Sequence, residues 1–131
     1  MERSMTRLSR TVLDGLLAVG PAEIDQMPWR PVTGCPGVRA KELCHVDGFV
    51  HALIGYDPGA GTPGVPHPGA HHHIWVVSGA ATVAGHRLAA GSYLYVPPGV
   101  AHPIVADPEA GCTLLQLHSP YPAPVGEPVD G

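Results

Sequence analysis

Charge and aromatic side chains are both scarce in this chain: charged residues make up 14% of its 131 positions and Phe, Trp and Tyr only 5%. Seven Lys plus Arg, most of them in the first forty residues, stand against eleven Asp plus Glu, for a net charge of −4. Without a basic stripe or aromatic-basic interleaving, nucleic acid is excluded as a partner. Long apolar runs are missing as well. The stretch 12–19 is interrupted by Asp14 and is too short for a signal-peptide core or a membrane span, so no membrane association is expected. Cysteine is limited to Cys35, Cys44 and Cys112, an odd number without Cys-x-x-Cys spacing. These read as small buried residues of a reducing compartment, which makes a cytoplasmic protein the expectation. Hydrolase and kinase signatures are absent too. Ser78-Gly79 has no nucleophile-elbow context, no phosphate-cradling Gly-x-Gly-x-x-Gly precedes a helix, and Asp47, Asp57, Asp107 and Glu109 form no carboxylate pair.

What the chain has in quantity is turn-forming residues and histidine. Gly and Pro number 17 and 16, yet 44% of the residues are hydrophobic, which argues for a turn-rich all-β domain rather than disorder. One domain of this length buries most of its apolar surface without a structural metal, so a bound metal is expected to be functional. Helical spacing of Val12, Leu13, Leu16 and Leu17 predicts a short helix or arm over 11–19, stopped by Gly20-Pro21. The Pro- and Gly-rich stretch around Trp29 reads as a loop or an edge strand. Short strands follow at 38–43, 49–56, 73–77, 80–84, 93–96, 104–106 and 113–118, separated by signals such as Asp57-Pro58-Gly59, Ser78-Gly79, Gly85-His86 and Pro97-Pro98-Gly99. Strands at this spacing mean a sandwich or barrel. The expected organisation is an arm at 1–26, a barrel at 27–118 and an extended Pro-rich tail at 119–131.

Nine histidines are distributed unevenly. His71, His72 and His73 are consecutive, His67 lies just upstream, and His102 closes a turn about 30 residues on. Imidazoles crowded at a strand entrance suit a first-row metal. Alternation along a strand places His72, Ile74 and Val76 on one face and His71, His73 and Trp75 on the other, so three consecutive histidines cannot all meet one ion. His51 and His118 sit in strands with apolar neighbours and are candidate proton-transfer groups. Tyr56, Trp75 and Gln116 are candidate substrate contacts, whereas His45 and His86 read as loop or surface residues.

Gly91, Pro97, Gly99 and His102 stand at the spacing of the second motif of the cupin superfamily, with Ala106 where that motif ends in Asn. The run from Gly61 through Val65-Pro66-His67 and His72 to Gly79 resembles the first motif in degenerate form. There His67 takes the second histidine position, His72 that of the usual glutamate, and Val65 that of the first histidine. The resemblance spans roughly 27–118 and implies a single-domain cupin: a double-stranded β-helix or jelly-roll barrel, in the style of the zinc domain of anti-sigma factors and several dioxygenases. It further implies one divalent metal on His67, His72 and His102, with His71 or His73 as a possible fourth ligand. Zinc is favoured, and iron(II) or nickel is also accepted by imidazole-rich sites.

A metal held only by neutral imidazoles keeps its full positive charge and favours anionic oxygen, such as an enolate or a diketonate. The expected substrate is therefore an enolisable polycarbonyl small molecule. Resemblance to cupin-type polyketide cyclases implies Lewis-acid-assisted ring closure. Resemblance to three-histidine cupin dioxygenases implies iron-dependent carbon–carbon cleavage. A metal- or ligand-binding sensor is the third reading, ranked lower because about 26 residues before the barrel do not supply a sigma-binding domain. A homodimer through sheet edges or an exchanged N-terminal arm is expected.

Overall fold

The computed structural model describes residues 11–13 and 16–120. The chain begins with β1 (Thr11–Leu13) and β2 (Leu16–Ala18), followed by α1 (Pro21–Gln26) and β3 (Arg30–Pro31). Next come β4 (Val38–Val46), β5 (Phe49–Tyr56), β6 (Gly61–Thr62) and the long β7 (Ala70–Val83). The last strands are β8 (His86–Ala89), β9 (Tyr93–Val96), β10 (Ile104–Ala106) and β11 (Cys112–Pro120).

Helix and hairpin exchange places relative to expectation. Residues 11–13 and 16–18 pair as a small antiparallel hairpin, and Gly20-Pro21 opens the helix instead of stopping one. The reason is local. Proline at the first helical position loses no hydrogen bond, and the Glu23 carboxylate accepts the Gly20 N–H at 2.6 Å. The expected tail at 119–131 lies outside the described residues beyond Pro120.

Nine strands form one curled antiparallel sheet, in the order β3-β4-β5-β11-β7-β10-β6, with β8 and β9 also paired to β7. Four ladders converge on β7: its first half pairs with β11 and β9, its second with β8 and β10. The sequence reading divided this strand at Ser78-Gly79, and the chain does bend there without leaving the sheet. Gly79 has φ 74, and a Cβ on it would run into the carbonyl oxygen of Gly111, so only glycine lets β7 fold against the turn before β11. Between β4 and β5 the Asp47-Gly48 turn has positive φ at both residues, the two-residue geometry that matches strand twist.

Curling brings one face of the sheet inward. Ile74, Val76, Val83, Ile104 and Leu114 are fully buried there, with Ala81, Val96 and Cys112 around them. His72 lies on this same inner face, 5% exposed, while Trp75 on the opposite face is 47% exposed. The alternation expected from the sequence is thus the alternation observed. Apolar side chains fill one end of the half-barrel, and the polar residues of its inner face gather at the other.

Candidate metal centre

The open end is built by cross-strand register. His118 of β11 is paired with His72 of β7, and His72 with Val96 of β9, so one row across the sheet carries two inward imidazoles. His102 arrives from the turn after β9. Its N–H donates to the carbonyl of Gly64 at 2.8 Å. Gly64 has φ 58, and any Cβ there would strike the His102 carbonyl, so this close approach of two loops requires glycine. His67 sits in the loop before β7, where its carbonyl accepts the N–H groups of Gly99 at 3.1 Å and Ala70 at 3.2 Å. The Pro97-to-His102 turn therefore fixes two histidines, one by covalent continuity and one by hydrogen bonding.

Four imidazoles meet at this end. His72 has ring-centre distances of 4.9 Å to His102, 4.8 Å to His118 and 5.3 Å to His67. His67 is 6.5 Å from His102 and 6.2 Å from His118. The pairwise spacing suits a shared ion: zinc–nitrogen bonds of about 2.0–2.1 Å leave rings on one metal roughly 4.5–6.5 Å apart, centre to centre. The rings do not yet converge, since among the described residues no three His, Cys, Asp or Glu side chains form a ready-made cage. Spacing and donor type fit a metal, and turning the rings about χ2, a soft torsion, is the adjustment binding would require.

Protonation supports the same fit. Burial, followed by the neighbouring imidazoles of His102, His118, His67 and His73, lowers the pKa of His72 from 6.5 to about 4. That of His118 is lowered by burial and then by His67 and His45. Both rings are therefore neutral near pH 7, the form that offers a lone pair to a metal. His102 Nδ1 lies 3.2 Å from the carbonyl oxygen of Val100. A carbonyl only accepts, so this bond places the proton on Nδ1 and leaves Nε2 as the available donor atom.

Other expected site residues lie elsewhere. His71 and His73 occupy the outer face of β7, hydrogen-bonded through Nδ1 to the hydroxyls of Tyr95 and Tyr93, while His118 supplies the fourth ring of the inner cluster. His51 is also on the outer face, paired with Leu117 and beside a cavity lined by Leu43 and Leu115. Trp75 points outward. Tyr56 faces inward at the apolar end, six residues along β5 from the His118 row, with its hydroxyl 3.1 Å from Thr62 Oγ1 and its pKa raised by burial to about 12. Gln116 shares the inner face of β11 with His118, one pleat deeper.

Sequence reasoning missed Glu42 and His45. His45 is exposed, as its surface reading expected, but it lies on β4 and not in a loop, and its row continues through Val50 to His118; the row of Glu42 continues through Ala52 to Gln116. His45 Nδ1 and Glu42 Oε2 stand 3.4 Å apart at the exposed rim of the inner face. A bulge between Glu42 and Cys44 brings this pair together. Bulges are invisible to a strict period of two, so no sequence signal marked it.

The curled sheet, the motif turn and the inward histidines define a cupin domain. The family described as the ChrR cupin-like domain matches residues 20–122, and the chain belongs to it. Solved structures share the fold. The polyketide cyclase RemF from Streptomyces resistomycificus has a TM-score of 0.65 at 21% identity, over 78% of this chain and 79% of that one. KdgF from Halomonas sp. has a TM-score of 0.62 at 25% identity, over 72% and 87%. A chain in the complex of Rhodobacter sphaeroides SigE with the anti-sigma ChrR gives 0.62 at 24%, over 72% of this chain and 49% of its own length. No curated protein sequence matches. Among the described residues no helix is long and apolar enough to cross a membrane.

Proposed function

We propose that this cupin is a metal-dependent enzyme acting on an enolisable polycarbonyl small molecule, most simply a Lewis-acid-assisted polyketide cyclase. The observation that carries the reading is the four-imidazole cluster, His67, His72, His102 and His118, with no carboxylate among its members. One divalent ion held by these rings, zinc before iron(II) or nickel, would supply undiluted positive charge to stabilise an enolate. The protein's own residues would do the rest. Apolar packing beneath His72 keeps water from the inner end, Gln116 presents an amide one pleat below His118 for a substrate carbonyl, and His45, oriented by Glu42, takes the proton. The fold shared with the polyketide cyclase RemF supports the cyclase reading by analogy.

A metal-dependent sensor is the second reading, favoured by the family's own description as ChrR cupin-like. The test begins with elemental analysis of tag-free protein beside His102→Ala. The variant is expected to lose most of its metal while keeping its far-UV circular dichroism, and unchanged metal content would remove the site assignment. Anaerobic ring closure of a polyketone with zinc-loaded protein supports the cyclase. Oxygen uptake by the iron-loaded protein with a diketone would replace it with a dioxygenase, and metal binding without turnover of either would leave the sensor.

A further inference from the structure

On the strand that carries His72 inward, the two neighbouring histidines face the other way. His71 and His73 are partly exposed on the outer face of β7, beside β9, where register pairs His73 with Tyr95. Each imidazole is held by a phenol of that strand: His71 Nδ1 stands 2.6 Å from the Tyr95 hydroxyl, and His73 Nδ1 is hydrogen-bonded to that of Tyr93. The rings interleave along the two strands. His71 is stacked on Tyr95 at 5.8 Å between ring centres and His73 on Tyr93 at 6.0 Å, while Tyr95 also lies 5.1 Å from His73. None of the four belongs to the inner cluster, and the proposed function uses none of them.

This arrangement suits a metal ion in three respects. Residues two apart on a strand share a face at roughly 6.5–7 Å, a span that two imidazoles close on one ion by turning about their side-chain torsions. Hydrogen bonding at Nδ1 directs coordination to Nε2 of each ring. A hydroxyl both accepts and donates, so Tyr93 and Tyr95 accept the Nδ1 proton of the metal-binding tautomer, as the partners that orient metal-bound histidines regularly do. Charge does not oppose the ion. The exposed residues beside the pair on these two strands, Trp75, Val77, Tyr93 and Tyr95, carry no positive charge to repel a cation.

We propose that His71 and His73 form a second metal site on the outside of the barrel, which takes a divalent transition ion through the two Nε2 atoms, copper(II) more tightly than nickel(II) or zinc. Water or a small anion completes the coordination. With only two protein ligands the site is open and exchanges its ion with solvent, unlike a centre closed by four. It shares no side chain with His67, His72, His102 and His118, because the pleat sends His72 to the opposite face. It therefore stands whether or not the inner cluster holds an ion. The run of three histidines then serves two sites, the middle one inward and the outer two together on the outside.

Copper(II) alone, dialysed at micromolar concentration against the full-length, tag-free chain, tests this through bound copper per chain and the imidazole couplings in its pulsed electron paramagnetic resonance spectrum. With the inner cluster disabled by His72→Gln and His102→Ala together, an ion coordinated by two imidazoles is expected to remain. Adding His71→Gln or His73→Gln removes the chelate and is expected to weaken that ion roughly a hundredfold, with circular dichroism unchanged. Tyr95→Phe, which keeps the ring and loses only the hydroxyl, is expected to weaken it about tenfold, a loss that copper adsorbed elsewhere on the surface would not show. In the otherwise wild-type chain His73→Gln is expected to cost one copper per chain. Copper held equally tightly by His71→Gln and His73→Gln overturns the proposal, as does an ion lost on disabling the inner cluster alone. If the inner cluster takes no ion, the wild type still binds this one and His73→Gln still releases it, so the two readings fail separately.

Discussion

His72 feels its surroundings through its proton. In the folded protein it titrates at about 4, against 6.5 as the ordinary value, because burial and four nearby imidazoles disfavour the cation. Between those two values the unfolded chain binds more protons than the folded one, so stability rises with pH. Metal-free protein is expected to lose about 3 kcal/mol from this group as the pH falls from 7 to 4, and nothing above pH 7, where both states are neutral. His118 acts with the same sign. Urea unfolding in chelator at pH 7, 5.5 and 4.5 measures the slope, and His72→Gln should flatten it; an equal slope in that variant would show that His72 is not its source. At this scale the sequence was informative where one strand suffices: the alternation of His71, His72 and His73 follows from the pleat alone. That His118 faces His72 follows from pairing between residues 46 positions apart, which no local pattern encodes.

Elements are held on the outside of the sheet as well as within it. Lys41 is only 6% exposed, its ammonium donating to the carbonyl of Ile24 at 2.7 Å near the end of α1 and lying 4.6 Å from the centre of the Trp29 ring. Carbonyls at a helix C-terminus and an aromatic face are both electron-rich, so one cation fastens the N-terminal segment across β4. Lys41→Met keeps the stem's packing and removes this clamp, at an expected cost of about 2 kcal/mol in urea unfolding. Limited proteolysis should then cut first within 16–31. A variant as stable and as resistant as wild type would show the clamp to be incidental. The clamp also shows why α1 was misplaced in the sequence reading. Periodic leucines at 11–19 favour a helix locally, but hairpin pairing and cover for the outer face decide the outcome. For β7 the Ser78-Gly79 signal was read as an ending, whereas the two halves continue one strand around a bend.

For the molecule as a whole, any ion taken up by the histidine end stabilises the fold by mass action. At a free concentration about a hundredfold above Kd the gain is about 2.7 kcal/mol, or roughly 8 °C in Tm for a chain of this size. Scanning calorimetry of tag-free protein with zinc, iron(II) and nickel, each reversed by chelator, measures it. A midpoint unmoved by all three would mean that the rings hold no ion. The cupin class was legible because Gly91, Pro97, Gly99 and His102 compress a whole turn into four fixed positions. The fourth imidazole and the Glu42–His45 pair were not, since both arise from register and a bulge across distant strands.

One strand separates the two faces of this molecule by the thickness of a single peptide. His72 points into the histidine cluster and Trp75, three residues on, points to the outer face, where it is 47% exposed. A displacement of His72 therefore moves the backbone from which an indole hangs. The other indole, Trp29, lies against Arg39 and Lys41 on the same outer face, at the far end of the row that leads to Trp75. The chain thus carries a built-in optical gauge at the back wall of its own site and a steady internal reference to read it against.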